Sequence, residues 1–210
     1  MGRSHVQAVK QPDELSCGPA TLQMILRIFD IHAPMSLLYE LCRTNSAGTN
    51  TRNMIRAIRI LGFWVQYRKN SRLTDMKKAL AKRQNNTCAV CVPYLYGGPH
   101  DNPKEDSGHW ATVASLGTQS KTITLFDSYE GKRKTYTWRN FRSRWWDYSM
   151  KKRPQSIKTP TKRKFSKQWK QGIMITVALR ETSLPSTAGS KVRIFPPLRI
   201  ASHSARKQHT

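Results

Sequence analysis

The chain has 210 residues, enough for one globular domain with a sizeable core. Apolar residues make up 38%, and no run approaches the roughly 18 consecutive apolar positions of a membrane-spanning helix, so the sequence reads as soluble. Lys and Arg number 37 against 12 Asp and Glu, a net charge of +25 that favours anionic partners without defining a fold or an activity.

The amino terminus, MGRSHVQAVKQ, lacks the apolar stretch of a signal peptide, and Val6 stands where a myristoylation site needs Ser or Thr. A cytoplasmic protein is expected. From Cys17 to about Asp30, Ala20, Met24 and Ile28 share one face and Leu22, Ile25 and Phe29 adjoin it, which predicts a helix with Pro19 tolerated in its first turn. A short helix is expected over MSLLYELCR. A third runs from Thr49 to Leu61 with Gly62 as its stop, and a fourth covers LTDMKKALAKR at 73–83.

The period then changes. Segments 87–95, 109–116, 121–126 and 172–179 are short, apolar or alternating, rich in β-branched residues and bounded by Gly, Pro, Asn and Lys, as strands are. TWRNFRSRWWDY suits a short amphipathic helix whose Trp138, Phe141 and Trp145 pack as core rather than serve as stacking platforms for bases. Helices followed by strands indicate an α+β fold, with a helical N-terminal half packed on a mostly antiparallel sheet. The domain is expected to span 1–181, with 182–210 a flexible basic tail.

Cysteines 17, 42, 88 and 91 in a chain without secretory features read as free thiols of a reducing compartment. Cys88 and Cys91 form a CxxC inside a buried apolar strand and lack a second ligand pair at zinc spacing, so no metal or other cofactor is expected. Residues 131–170 carry 15 basic residues and one acid, Asp147, whereas DNPKED at 101–106 is locally acidic. A basic stretch of this kind would attract nucleic acid or another polyanion; a general basic bias would produce it as well.

One constellation carries chemistry. Cys17 opens a helix, where unpaired N–H groups and the macrodipole favour a thiolate, and Gly18 leaves room for a substrate backbone. His109, in SGHWATVASL, begins a strand and is the best base. Asp127 closes the next strand in ITLFDSYEG, and antiparallel neighbours bring the start of one strand beside the end of the next. An Asp there also serves as a turn former. His100, in the GGPHDNPKED loop, could line a cleft. His5, His32, His203 and His209 lack any motif, and Cys42 reads as core.

QPDELSCGPATLQMIL resembles the opening of the C39-like cysteine peptidases, which have a papain-like fold. GTNTRNMIRAIRILGF looks like the family's later helix, GHWATVASL like its histidine strand, ITLFDSYEG like its aspartate strand and WRNFRSRWWDY like its closing helix, over about residues 5–180. The resemblance implies a free-standing cysteine peptidase that takes a peptide or protein substrate. In it Cys17 attacks, His109 shuttles the proton, Asp127 fixes the imidazole tautomer, and Gln11 shares the oxyanion hole with the Cys17 N–H. The same machinery could deamidate a side chain or transfer an acyl group. The rival from another class is a peptidase-like domain that docks on nucleic acid through its basic surface, with the cysteine incidental.

Overall fold

The computed structural model describes residues 6–82, 88–96, 108–156, 159–186 and 192–198, with the backbone alone at 150–165 and 167. The acidic loop 101–106, His5, His100, His203 and His209 lie outside the described residues. The first apolar stripe forms helix α1 (Cys17–Ile28), with Ala20, Leu22, Met24, Ile25 and Ile28 buried. Helix α2 spans Met35–Leu41. Helix α3 spans Thr51–Ile60; the Asn50 side chain caps it by accepting from the Asn53 N–H at 2.9 Å, and the chain turns at Gly62 with φ +90°. After strand β1 (Trp64–Arg68) comes helix α4 (Leu73–Lys82).

Strands β2 (Cys88–Leu95), β3 (Gly108–Leu116) and β4 (Thr122–Asp127) follow the expected segments within two residues at each end. Strand β5 (Lys132–Thr137) leads into helix α5 (Trp138–Arg144), which begins at the Thr137 cap. Strands β6 (Trp146–Ser156) and β7 (Thr159–Gln171) pair as a separate two-stranded ribbon. Strands β8 (Met174–Ala178) and β9 (Val192–Phe195) return to the main sheet.

That sheet has seven strands in the order β5-β4-β3-β2-β8-β1-β9, every neighbouring pair antiparallel. Both faces are covered. Ala89 and Cys91 join a core with Leu22 and Ile25 of α1 and Met54 and Ile58 of α3. On the other face Val90, Val92 and Tyr94 join Met76 and Ala79 of α4 and Phe141 of α5. This two-sided burial explains why β2 reads as a continuous apolar run rather than an alternation. It also separates Cys88 from Cys91, since positions three apart in a strand point to opposite faces and cannot share one ion. Among the described residues no group of His, Cys, Asp and Glu is arranged to hold a metal, and no helix is long and apolar enough to cross a membrane.

The structure departs from the sequence reading in three places. The helix expected over TWRNFRSRWWDY stops at Arg144, and WDY begins β6 because its backbone pairs with β7, Trp146 opposite Gln171. Strands β1, β5, β6, β7 and β9 were not anticipated. Residues 192–195, expected in a loose tail, form the edge strand on β1, with Val65 opposite Phe195 and Arg68 opposite Val192. The free edge of β1 supplies a ladder that no local periodicity announces. The sheet fold itself is the expected α+β architecture, with α5 among the strands of the second half as expected and α4 set between β1 and β2.

Candidate active site

Cys17 is the first residue of α1, and no acidic side chain sits in that first turn to oppose a thiolate. The Trp110 and Gly18 backbone N–H groups and the His109 imidazole each favour the ionised form of its thiol. Gly18 is required by packing, because a Cβ there would collide with the Thr49 side chain. The space that glycine was expected to leave for substrate is therefore occupied by Thr49. Thr49 is in turn held by the Trp110 indole N–H, which donates to its carbonyl at 2.6 Å, and by a 2.8 Å hydroxyl contact with Thr44.

In the antiparallel β3–β4 pair Thr112 lies opposite Phe126, so the next step puts Asp127 beside Ala111, with His109 two residues further along the same face of β3. The His109 Nε2 lies 3.7 Å from Asp127 Oδ1 and 3.5 Å from Ser128 Oγ. The first distance is that of an ion pair rather than a short hydrogen bond, so attraction to the carboxylate does not depend on ideal bond geometry. With Nε2 turned toward Asp127, Nδ1 is the nitrogen left for Cys17. Asp127 is fully buried; its Oδ1 accepts the Tyr129 N–H at 2.8 Å, and Lys134 Nζ stands 4.0 Å from Oδ2. Tyr96 and Tyr94 flank the imidazole, with ring centroids 4.9 and 5.7 Å away.

These surroundings set the charges. Burial opposes ionisation of the Cys17 thiol, but His109 together with the Trp110 and Gly18 N–H groups outweighs it and lowers the thiol below its ordinary range. Burial would depress His109 as well; Asp127 and Cys17 more than offset it and raise the imidazole to about 9. Burial raises Asp127, yet His109, the Tyr129 N–H and Lys134 together hold it below the usual carboxylate range. Cys42 and Cys91 go the other way, pushed up by burial in the apolar core, Cys42 to about 12. Cys17 is thus set apart from Cys42 and Cys91 by a lowered thiol beside a raised imidazole.

Gln11 sits against the same cluster. Its backbone N–H donates to the Ser128 carbonyl at 2.7 Å, its Oε1 accepts from Ser128 Oγ at 2.8 Å, and its Nε2 donates to the Asp13 carbonyl at 2.7 Å. The structure therefore brings Cys17, His109 and Asp127 together directly and ties Gln11 to them through Ser128. Sequence reasoning missed Ser128, Thr49, Tyr94, Tyr96 and Lys134. Ser128 adjoins Asp127 and could have been flagged on that ground. Tyr94 and Lys134 reach the site only through strand register, Tyr96 just past the end of β2, and Thr49 through the packing of the loop before α3.

The arrangement is that of a thiol hydrolase: a helix-start thiol, a raised imidazole and a buried carboxylate. A family model for the Peptidase C39 family matches residues 5–157, most of the chain, and the protein belongs to that family of cysteine peptidases. Among solved structures the peptidase domain of Streptococcus ComA, a bifunctional ABC transporter involved in a quorum-sensing pathway, is similar at 21% identity and TM-score 0.58. The alignment covers 84% of this chain and all of that one. The peptidase domain of Streptococcus mutans ComA is similar at 19% identity and TM-score 0.51, covering 82% of this chain and 98% of its own. At these identities the likeness is one of fold. No curated protein sequence matches the chain.

Proposed function

We propose that this protein hydrolyses peptide bonds, with Cys17 as nucleophile, His109 as the group that shuttles the proton, acid toward the amine and then base toward water, Asp127 as the residue that orients the imidazole, and Gln11 with the Cys17 N–H as oxyanion donors. The observation that carries the reading is Cys17 at the first residue of α1 with His109 acting on it, the thiol lowered and the imidazole raised. The thiolate attacks the scissile carbonyl; negative charge moves onto its oxygen, where N–H donors stabilise it. His109 then gives its proton to the departing amine, leaving a thioester. Next it takes a proton from water, whose oxygen attacks the thioester and releases the acid and the thiolate. The fixed orientation of the Gln11 amide, its oxygen tied to Ser128, leaves its nitrogen as the donor end. A cytoplasmic setting suits four cysteines that are all free and buried.

The test is incubation with a diverse peptide library, with products read by mass spectrometry and Cys17→Ala as control. Cleavage by the parent and none by the variant is expected. Equal products from both would remove the assignment. The rival reading, an incidental cysteine, has no comparable support, since Cys17 is set apart from Cys42 and Cys91 in the sign of its shift.

A further inference from the structure

A cavity of about 470 Å³ opens where the start of α4, the outer side of α5 and the turn at Gly172 meet, and none of its lining residues belongs to the Cys17 cluster. Arg72, Trp138, Arg142, Trp145 and Gln171 form its walls. A second depression of about 340 Å³ shares Trp138, Arg142 and Gln171 with it and adds Arg139 and Ser143. The first volume lies within the range of small-ligand sites, roughly 300–1,000 Å³.

The walls are fixed by backbone bonds rather than by side chains alone. Asn70 N–H donates to the Gln171 carbonyl at 3.0 Å, Ser71 N–H to the Gly172 carbonyl at 3.0 Å, and Gly172 N–H to the Trp145 carbonyl at 2.9 Å. Gly172 adopts φ +59°, and a Cβ there would come within 2.7 Å of the Ser71 nitrogen, so close approach of the two segments depends on that glycine. The Trp145 indole N–H donates to the Ile173 carbonyl at 2.8 Å, which holds its ring in place. Trp138 rests against Trp145 and Phe141, at 6.0 and 5.7 Å, and is half-buried.

The chemistry of the lining is one-sided. It holds three guanidinium groups and no carboxylate. Among the described residues Arg72, Arg139 and Arg142 have no ion-pair partner. Guanidinium groups bind phosphate oxygens in a bidentate fashion, and indole faces stack on flat rings. A bare inorganic anion would leave the indole wall unused, and an apolar ligand would leave the arginines without partners. A flat ring carrying a phosphate satisfies both.

We propose that this cavity binds a nucleotide unit, its base against Trp138 and its phosphate held by Arg142 with Arg72 or Arg139, either as a free nucleotide or within a single-stranded nucleic acid. The site is independent of the Cys17 chemistry. It also gives the basic excess of 131–170 a local focus on α5, where Arg139 and Arg142 fall one turn apart on the exposed side.

The proposal is tested by calorimetric titration of the full chain at low salt with AMP, UMP, a short oligothymidylate and inorganic tripolyphosphate, repeated on Arg142→Ala and Trp138→Ala. We expect Kd for a nucleotide or the oligonucleotide to rise by about tenfold or more in each variant. Tripolyphosphate binding should be weakened by Arg142→Ala and left unchanged by Trp138→Ala. Binding of mononucleotides as tight as that of the oligonucleotide would identify a free nucleotide as the ligand; tight binding of the oligonucleotide alone would identify a single strand. The proposal is overturned if neither class binds, if Arg142→Ala binds both as the parent does, or if Trp138→Ala retains parental affinity. Retained circular dichroism and peptide cleavage in each variant separate loss of the site from loss of the fold.

Discussion

At the scale of single residues, the charges of three buried groups depend on one another. Asp127 raises His109, and His109 lowers Cys17, so Asp127→Asn should lower the His109 value and move the alkaline limb of the kcat/KM profile down from about 9 toward the ordinary imidazole range. An unmoved limb would show that the carboxylate does not act on the imidazole. Gly18 makes a different prediction. A methyl group at this position meets the Thr49 side chain, its Cβ at 2.5 Å included, so Gly18→Ala should cost about 1–3 kcal/mol in thermal or urea unfolding, and Thr49→Gly in the same chain should relieve the clash and restore part of that. Cys17 and His109 could be found from the sequence because each sits at the start of an element with its own local pattern. Thr49 could not, since its contacts with the start of α1 and with Trp110 form only once α1 and β3 have packed.

At the scale of elements, legibility follows burial. α1, β2 and β3 bury most of their length and show it as apolar stripes or runs. β5, KRKTYT, buries Tyr136 alone, so it presents a basic polar string that no period distinguishes from a loop. β6 and β7 pair with each other and not with the main sheet, and their basic composition likewise hides the strands. α5 is anchored by Phe141 and Trp145, both essentially buried, with Phe141 6.2 Å from Tyr94 by ring centroid. Trp145→Ala should therefore destabilise the fold by about 3–5 kcal/mol in chemical denaturation, more than any exposed substitution on the same helix. β9 covers the edge of β1, where Val65 and Tyr67 are buried. Truncation after residue 191 should uncover that edge, lower the Tm and produce concentration-dependent association in size-exclusion chromatography; an unchanged elution profile at all concentrations would show that β9 does not protect the edge.

At the scale of the whole molecule, the two-sided sheet sets Cys17 and His109 where helix α1 meets the start of β3 and the end of β4. Its titrations should show in overall stability. Asp127 has a folded value below its unfolded one near 3.8, so its contribution is complete above that pH and is lost as pH falls through the lowered value. His109 has a folded value raised from 6.5 to about 9, so its contribution is complete below 6.5 and is lost as pH rises through about 9. A Cys17 thiolate held by His109 is tested most directly by the pH dependence of iodoacetamide alkylation, mapped by cysteine. Selective modification of Cys17 should occur below the range where an ordinary thiol of pKa about 8.5 reacts, and His109→Ala should abolish that selectivity. Equal labelling of all four cysteines in the folded protein, or Cys17 labelling unaffected by loss of His109, would contradict it.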